Sequence, residues 1–202
     1  MTDANGYMFD YIKLSLYNAK SHLVGSVPIP PAPEEKISTF EKLINEPLPD
    51  DYRRFLKTIN GGTPEKLGVD YFCFPAKWGS NNFTFLPPKE DYGLSILFTL
   101  NPEFVSHNRN IDVSEVSYFS LEAKYKEFID LEDMGYPHVP NDMIPIGSTP
   151  IENDMIILGI KGERRGKVYY YMLQEDPETL YQNVGFIADS FDEFLQLIRP
   201  CE

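Results

Sequence analysis

Residues 34–62, EEKISTFEKLINEPLPDDYRRFLKTINGG, carry the strictest local constraint in the chain. Ile37, Phe40 and Ile44 recur at i, i+3 and i+7, which is one face of a helix. Glu34 and Glu35 occupy its first turn, where carboxylates meet the positive end of the helix dipole. Pro47 and Pro49 then stop it, because proline lacks an N–H and its ring collides with the preceding turn. A second helix starts at once. Pro49 suits a first turn, Asp50 and Asp51 favour the same dipole end, and Tyr52, Phe55, Leu56 and Ile59 form an apolar stripe. Asn60-Gly61-Gly62 tolerates the positive φ that a helix C-cap requires. Asp50-Asp51 also looks like an acid/base pair. Adjacent helix residues point about 100° apart, however, and acids in a first turn have a structural role.

The rest of the chain reads mainly as strands. Upstream, VPIPPAPEE places prolines at 28, 30, 31 and 33, a run that prefers extended geometry. Residues 1–33 are therefore expected to form an arm and proline-rich linker, and 34–202 the main domain. VDYFCFP (69–75) and NFTFL (82–86) have strand composition, while LSILFTL (94–100) fits a buried strand or a helical turn. Leu121, Tyr125, Phe128 and Ile129 space as a helix, ended by Gly135 and Pro137. MIPIG and DMIILGI read as strands, KGERRG as a turn with an exposed basic tip, and KVYYYML as the returning strand of a hairpin. VGFIA is another strand. In DSFDEFLQLIR, Ser190 and Glu193 fit a capping box, and Phe191, Phe194, Leu195 and Ile198 share a face. The order predicts an α+β fold: a mostly antiparallel sheet with N-terminal helices, an inserted helix and a C-terminal helix packed on it.

Charge narrows the partners. The 202 residues carry a net charge of −13, which works against nucleic-acid binding because phosphates are repelled. Residues 1–126 contribute −3 and residues 127–202 contribute −10; residues 127–160 hold seven acids and no Lys or Arg. That stretch is a solvated acidic face or an electrostatic docking face for a basic protein. No segment reaches 18 apolar residues, so no membrane span is expected. The first residues show no basic region followed by an apolar run. Cys73 and Cys201 have neither metal-ligand nor redox-pair spacing. Cys73, between Phe72 and Phe74, reads as a buried free thiol in a reduced, cytoplasmic setting.

No catalytic set emerges. His22, His107 and His138 have no HxH or HExxH spacing, no serine sits in a GxSxG turn, and the glycines match no phosphate-binding pattern. KWGSNNF (77–83) contains the only tryptophan. Trp78 there is a binding-surface aromatic with Asn81 beside it, or a plug at one end of the core. The expectation is a binding module that needs no cofactor and no metal.

The pieces, in their order, resemble the SMI1/KNR4 family of the SUKH superfamily. FEKLINEPLPDDYRRFLKTINGG is similar to its N-terminal signature, DMIPIGSTPIENDMIILGIKGERRGKVYYY to its second block, and IADSFDEFLQLI to its closing helix. One departure is Asn153, where the family often has glycine before the aspartate. The resemblance implies an α+β fold without enzymatic activity, and in bacteria an immunity protein that neutralises a cognate toxin, often a nuclease. Relatives that regulate cell-wall synthesis through protein contacts give the alternative of a regulatory or scaffold domain. No catalytic residue carries over. Contacts to a basic toxin partner are expected from the less patterned loops and the acidic half: Trp78, Asn81, Asp91, Tyr92, Glu132, Asp133, Glu152 and Asp154.

Overall fold

The computed structural model describes residues 13–15, 30–65, 72–78, 91–101, 117–136, 138–151, 154–173 and 179–201. The two expected N-terminal helices are α1 (Glu34–Ile44) and α2 (Asp50–Thr58). They bury Ile37, Phe40 and Ile44, and Tyr52, Phe55 and Leu56, the stripes that the spacing predicts. Asn45 ends α1 in the left-handed conformation, φ 54°. The later helices are α3 (Leu121–Ile129) and α4 (Phe191–Leu197).

The strands, in chain order, are β1 (Lys13–Ser15), β2 (Thr63–Glu65), β3 (Phe72–Pro75), β4 (Asp91–Leu94) and β5 (Ile96–Leu97). After α3 come β6 (Met143–Ser148), β7 (Met155–Gly159), β8 (Val168–Tyr171), β9 (Val184–Ala188) and β10 (Arg199–Pro200). A five-stranded sheet runs β5-β6-β7-β8-β9, a three-stranded one β10-β3-β4, and β1 pairs with β2; every pairing is antiparallel. The fold is α+β, as the sequence order predicts. The strand-like segment 82–86 lies outside the described residues.

Period-two alternation splits the five-stranded sheet between two cores. Ile156 and Leu158 of β7 face the main core with the apolar stripes of α1, α2 and α4. Met155 and Ile157 face the other way, onto Phe128 of α3 and Leu131. Both faces are covered, so β7 is an unbroken apolar run and not an alternating one. Lys77 joins the two larger sheets through two backbone hydrogen bonds with Phe186 (2.7 and 2.8 Å). The indole of Trp78 lies against Gly185, where an added Cβ would sit 2.7 Å from the ring.

The Asn60-Gly61-Gly62 segment does more than end α2. Asn60 is fully buried at φ 65°. Its Nδ2 donates to the carbonyl of Pro30 (3.0 Å), and its Oδ1 accepts from the N–H of Leu100 (3.0 Å). Gly62 exchanges two hydrogen bonds with Leu97. Gly61, at φ 90°, has Phe98 O only 2.6 Å from where a Cβ would lie, so side chains are excluded there. Asn101 Nδ2 reaches Pro30 O and Pro31 O, and Ala32 N donates to Leu56 O. The end of the proline run is thereby hydrogen-bonded to α2 and to the segment after β5.

At α4, Ser190 Oγ accepts from Glu193 N and Glu193 Oε2 accepts from Asp189 N, close to the predicted capping box. Asp51 adds a cap from another helix: its Oδ2 accepts from Phe191 N (2.7 Å) and Asp192 N (3.3 Å).

Three expectations change. Cys73 is not a free thiol; it is disulfide-bonded to Cys201, with Cα atoms 5.2 Å apart across 128 residues. The pairing of β10 on β3, with Arg199 opposite Cys73, brings the two together, and no local spacing records that. The KGERRG turn joins β7 to β8 with Arg165 exposed, as expected, but its bases are engaged. Arg165 Nη1 donates to the carbonyls of Pro47 and Ile160 and Nη2 to Leu48 O, while Arg164 lies 3.7 Å over the Tyr181 ring. Finally, Ile129 is 51% exposed, one position off the α3 face that buries Leu121 and Phe128.

No described helix is long and apolar enough to cross a membrane.

Two stability effects follow from these contacts. Replacing Cys73 and Cys201 by serine lowers unfolding free energy in urea by about 2–4 kcal/mol, with no further effect of reductant on the variant. The Tyr52 hydroxyl is buried and finds no hydrogen-bond partner among the described residues, and burial holds its pKa far above the ordinary phenol value. Tyr52→Phe therefore leaves stability unchanged or raises it by up to about 1 kcal/mol; a clear loss in the same titration would mean the hydroxyl is satisfied.

Candidate partner-binding surface

Six of the eight expected contact residues lie among the described residues, and they separate into a buried set and a surface set. Trp78, Tyr92 and Asp154, the last two lying 14 and 76 residues after the first, come together through one network. Trp78 Nε1 donates to the Tyr92 hydroxyl (2.9 Å), the Tyr92 and Tyr170 rings lie 4.3 Å apart, and Tyr170 Oη donates to Asp154 Oδ2 (2.6 Å). Leu173 N donates to Asp154 Oδ1 (3.0 Å). Tyr92 and Asp154 are each 3% exposed and present no surface to a partner in this conformation, while Trp78 is half-buried against the main core. Burial, then the nearby Asp154 carboxylate, pushes the Tyr170 phenol far above its ordinary pKa. It stays protonated across the neutral range and remains a donor to Asp154. This network ties β4 and β8 to the segment that leads into β7.

On the surface, Asp91 pairs with Arg199, whose Nη2 is 2.7 Å from both carboxylate oxygens. That links β4 to β10 across β3. Glu132 and Asp133 are exposed in the turn after α3. Asn81 and Glu152 lie outside the described residues.

A depression of about 450 Å³ on α2 is lined by Asp50, Arg53, Arg54, Lys57 and Thr58. Its bases are already matched: Arg53 and Lys57 with Glu34, Arg53 also with Glu41, and Arg54 with Asp192. The Arg53 guanidinium, with Lys57 beside it, holds the Glu34 carboxyl below the usual carboxylate range. The depression is therefore a set of surface ion pairs and not a free anion site. No cluster of three or more His, Cys, Asp or Glu among the described residues has metal-holding geometry.

The end of α3 and the turn after it expose apolar side chains that the sequence pattern did not mark as surface. Ile129, Met134 and Tyr136 are exposed beside Asp130, Glu132 and Asp133. The helical phase contained a signal: with Leu121 and Phe128 on the buried face, Ile129 falls about 100° off it. Leu131 is the residue that continues the buried face, and it is 4% exposed.

The model of the SMI1 / KNR4 family (SUKH-1) matches residues 31–197. The chain belongs to that family, whose members are immunity-protein-like domains. A comparison with curated proteins finds no match. The matched span contains α1, α2 and the whole five-stranded sheet, and ends at the last residue of α4.

Asp154 tests how much the buried network matters. Asp154→Asn places an amide N–H₂ where two donors already converge, and is expected to cost about 2–4 kcal/mol in chemical unfolding. Tyr170→Phe in the same assay is expected to cost about 1–3 kcal/mol. Near-neutral values for both would show that the carboxylate is not held as described.

Proposed function

We propose that this chain is a non-enzymatic protein-binding module, an immunity protein that binds and neutralises a cognate bacterial toxin. The observation that carries the reading is the match to the SMI1 / KNR4 family across residues 31–197. The net charge of −13 supports a basic partner, and a nuclease is the toxin class that this charge suits best. Nucleases hold polyanions with Lys and Arg, and carboxylates arriving at that groove compete directly with phosphate. Half-buried Asp51 and the buried Asn60 and Asp154 serve as caps and joints, which leaves recognition to other surface groups.

A second reading, a regulatory or scaffold domain, is favoured by the segment 1–33, from which β1 pairs with β2. A cytoplasmic setting suits an inhibitor of incoming toxins. A standing Cys73–Cys201 bond belongs instead to an oxidising compartment; in the cytoplasm the pair would be held as dithiol, and β10 would stay on the sheet through its backbone pairing with β3 and the Arg199–Asp91 ion pair.

Co-expression with the product of the adjacent gene separates the readings. For an immunity protein, growth arrest by that product is relieved, the two proteins co-purify, and affinity falls as salt rises. Unrelieved toxicity with no complex would sink the neutralising role.

A further inference from the structure

We propose that the C-terminal end of α3 and the turn after it, residues 129–136, form the docking surface for a basic protein whose matching face is an apolar centre ringed by Lys and Arg. This rests on the binding-module reading above and adds the surface and the chemistry of what covers it.

The first support is where apolar side chains are left in water. Among the described residues only six large hydrophobic side chains are exposed. Three of them, Ile129 (51%), Met134 (59%) and Tyr136 (37%), fall within eight consecutive positions. Methionine and tyrosine are side chains that protein interfaces favour at their centres.

The second is rigidity. Phe128 and Leu131 anchor this segment in the smaller core against Met143, Met155, Ile157 and Tyr171. The turn closes on itself through Met134 N to Asp130 O (3.1 Å), Gly135 N to Glu132 O (3.0 Å) and Tyr136 N to Leu131 O (3.0 Å). The exposed apolar groups are presented by a formed structure, so little ordering is left to complete on binding.

The third is charge, which decides the occupant. Asp130, Glu132 and Asp133 are exposed and make no ion pair among the described residues. The neighbouring acids of α3 are matched, Glu122 by Lys126 and Glu127 by Lys124. The three unmatched carboxylates stand at the negative end of the α3 dipole, where an acid costs local stability. A partner's cations would relieve that repulsion and frame the apolar centre. An anionic membrane or a nucleic acid would be repelled by the same three groups.

The test uses the product of the adjacent gene as the probe and measures binding kinetics with the full chain. Ile129→Ser/Met134→Ser/Tyr136→Ser is expected to weaken affinity by about 30-fold or more, mainly through faster dissociation. Asp130→Asn/Glu132→Gln/Asp133→Asn is expected to slow association about tenfold at low salt and to flatten its salt dependence. In the free chain the same neutralisation raises the melting temperature by about 2–4 °C. If both variants bind as the unaltered chain does, this surface is wrong while the binding reading stands. If the unaltered chain does not bind, the neutralising reading fails and this surface with it. An unchanged or lowered melting temperature overturns the charge part of the proposal without reference to any partner.

Discussion

The carboxamide of Asn60 holds three pieces of chain that are far apart in sequence. It donates to Pro30, accepts from Leu100 and terminates α2, all from a fully buried position. A buried amide left unpaired costs about 1–3 kcal/mol, so the three segments stay together or the local structure fails. The consequence runs outward. Thr99, next to Leu100, donates to Phe119 O and accepts from Leu121 N, which sets the start of α3. Ser120 then caps that helix through Ala123 N. The exposed surface at the far end of α3 is thus placed by a joint at the end of α2.

Carboxylates in this acidic chain are sorted by what they meet. Asp51 and Asp154 accept hydrogen bonds from backbone and tyrosine donors, and hold elements together. Glu34, Glu41, Asp91, Asp142, Asp189 and Asp192 lie beside Lys or Arg. Such surface pairs contribute little stability individually; their effect is to cancel charge over most of the described surface. Asp130, Glu132 and Asp133, close together after α3, have no counterion among the described residues, and neither do the more scattered Glu35, Asp50 and Glu163. The three after α3 lie beside exposed Ile129, Met134 and Tyr136, and that combination, more than the total of −13, makes one surface distinct.

The basic residues show the complementary pattern. Arg165 spends its guanidinium on three carbonyls, two of them from the Pro47–Leu48 break between α1 and α2. Proline at 47 and 49 removes backbone partners from that break, and the arginine supplies donors to the carbonyls left there. A turn that reads as a basic tip in isolation is therefore a clamp between the hairpin β7–β8 and the helical layer.

The helices, the buried faces of α1, α2 and α4 and most strands were legible in the sequence alone, because those signals act within about four residues: Ile37, Phe40 and Ile44 on α1, Phe191 and Phe194 on α4, Ser190 at a helix start. The sequence also carried the family resemblance, whose Asn60-Gly61-Gly62 and Asp51 are visible as letters. What those letters do was decided only by tertiary structure. Asp51 caps a helix 140 residues away, Cys73 meets Cys201 across 128 residues, and Asp154 is enclosed by Tyr170 and Leu173. Each depends on strand register or helix docking, which bring together residues that no local period relates. The same holds for the candidate surface. Glu132 and Asp133 were visible as charge in the sequence, but the exposure of Ile129, Met134 and Tyr136 beside them follows from Phe128 and Leu131 turning into the smaller core.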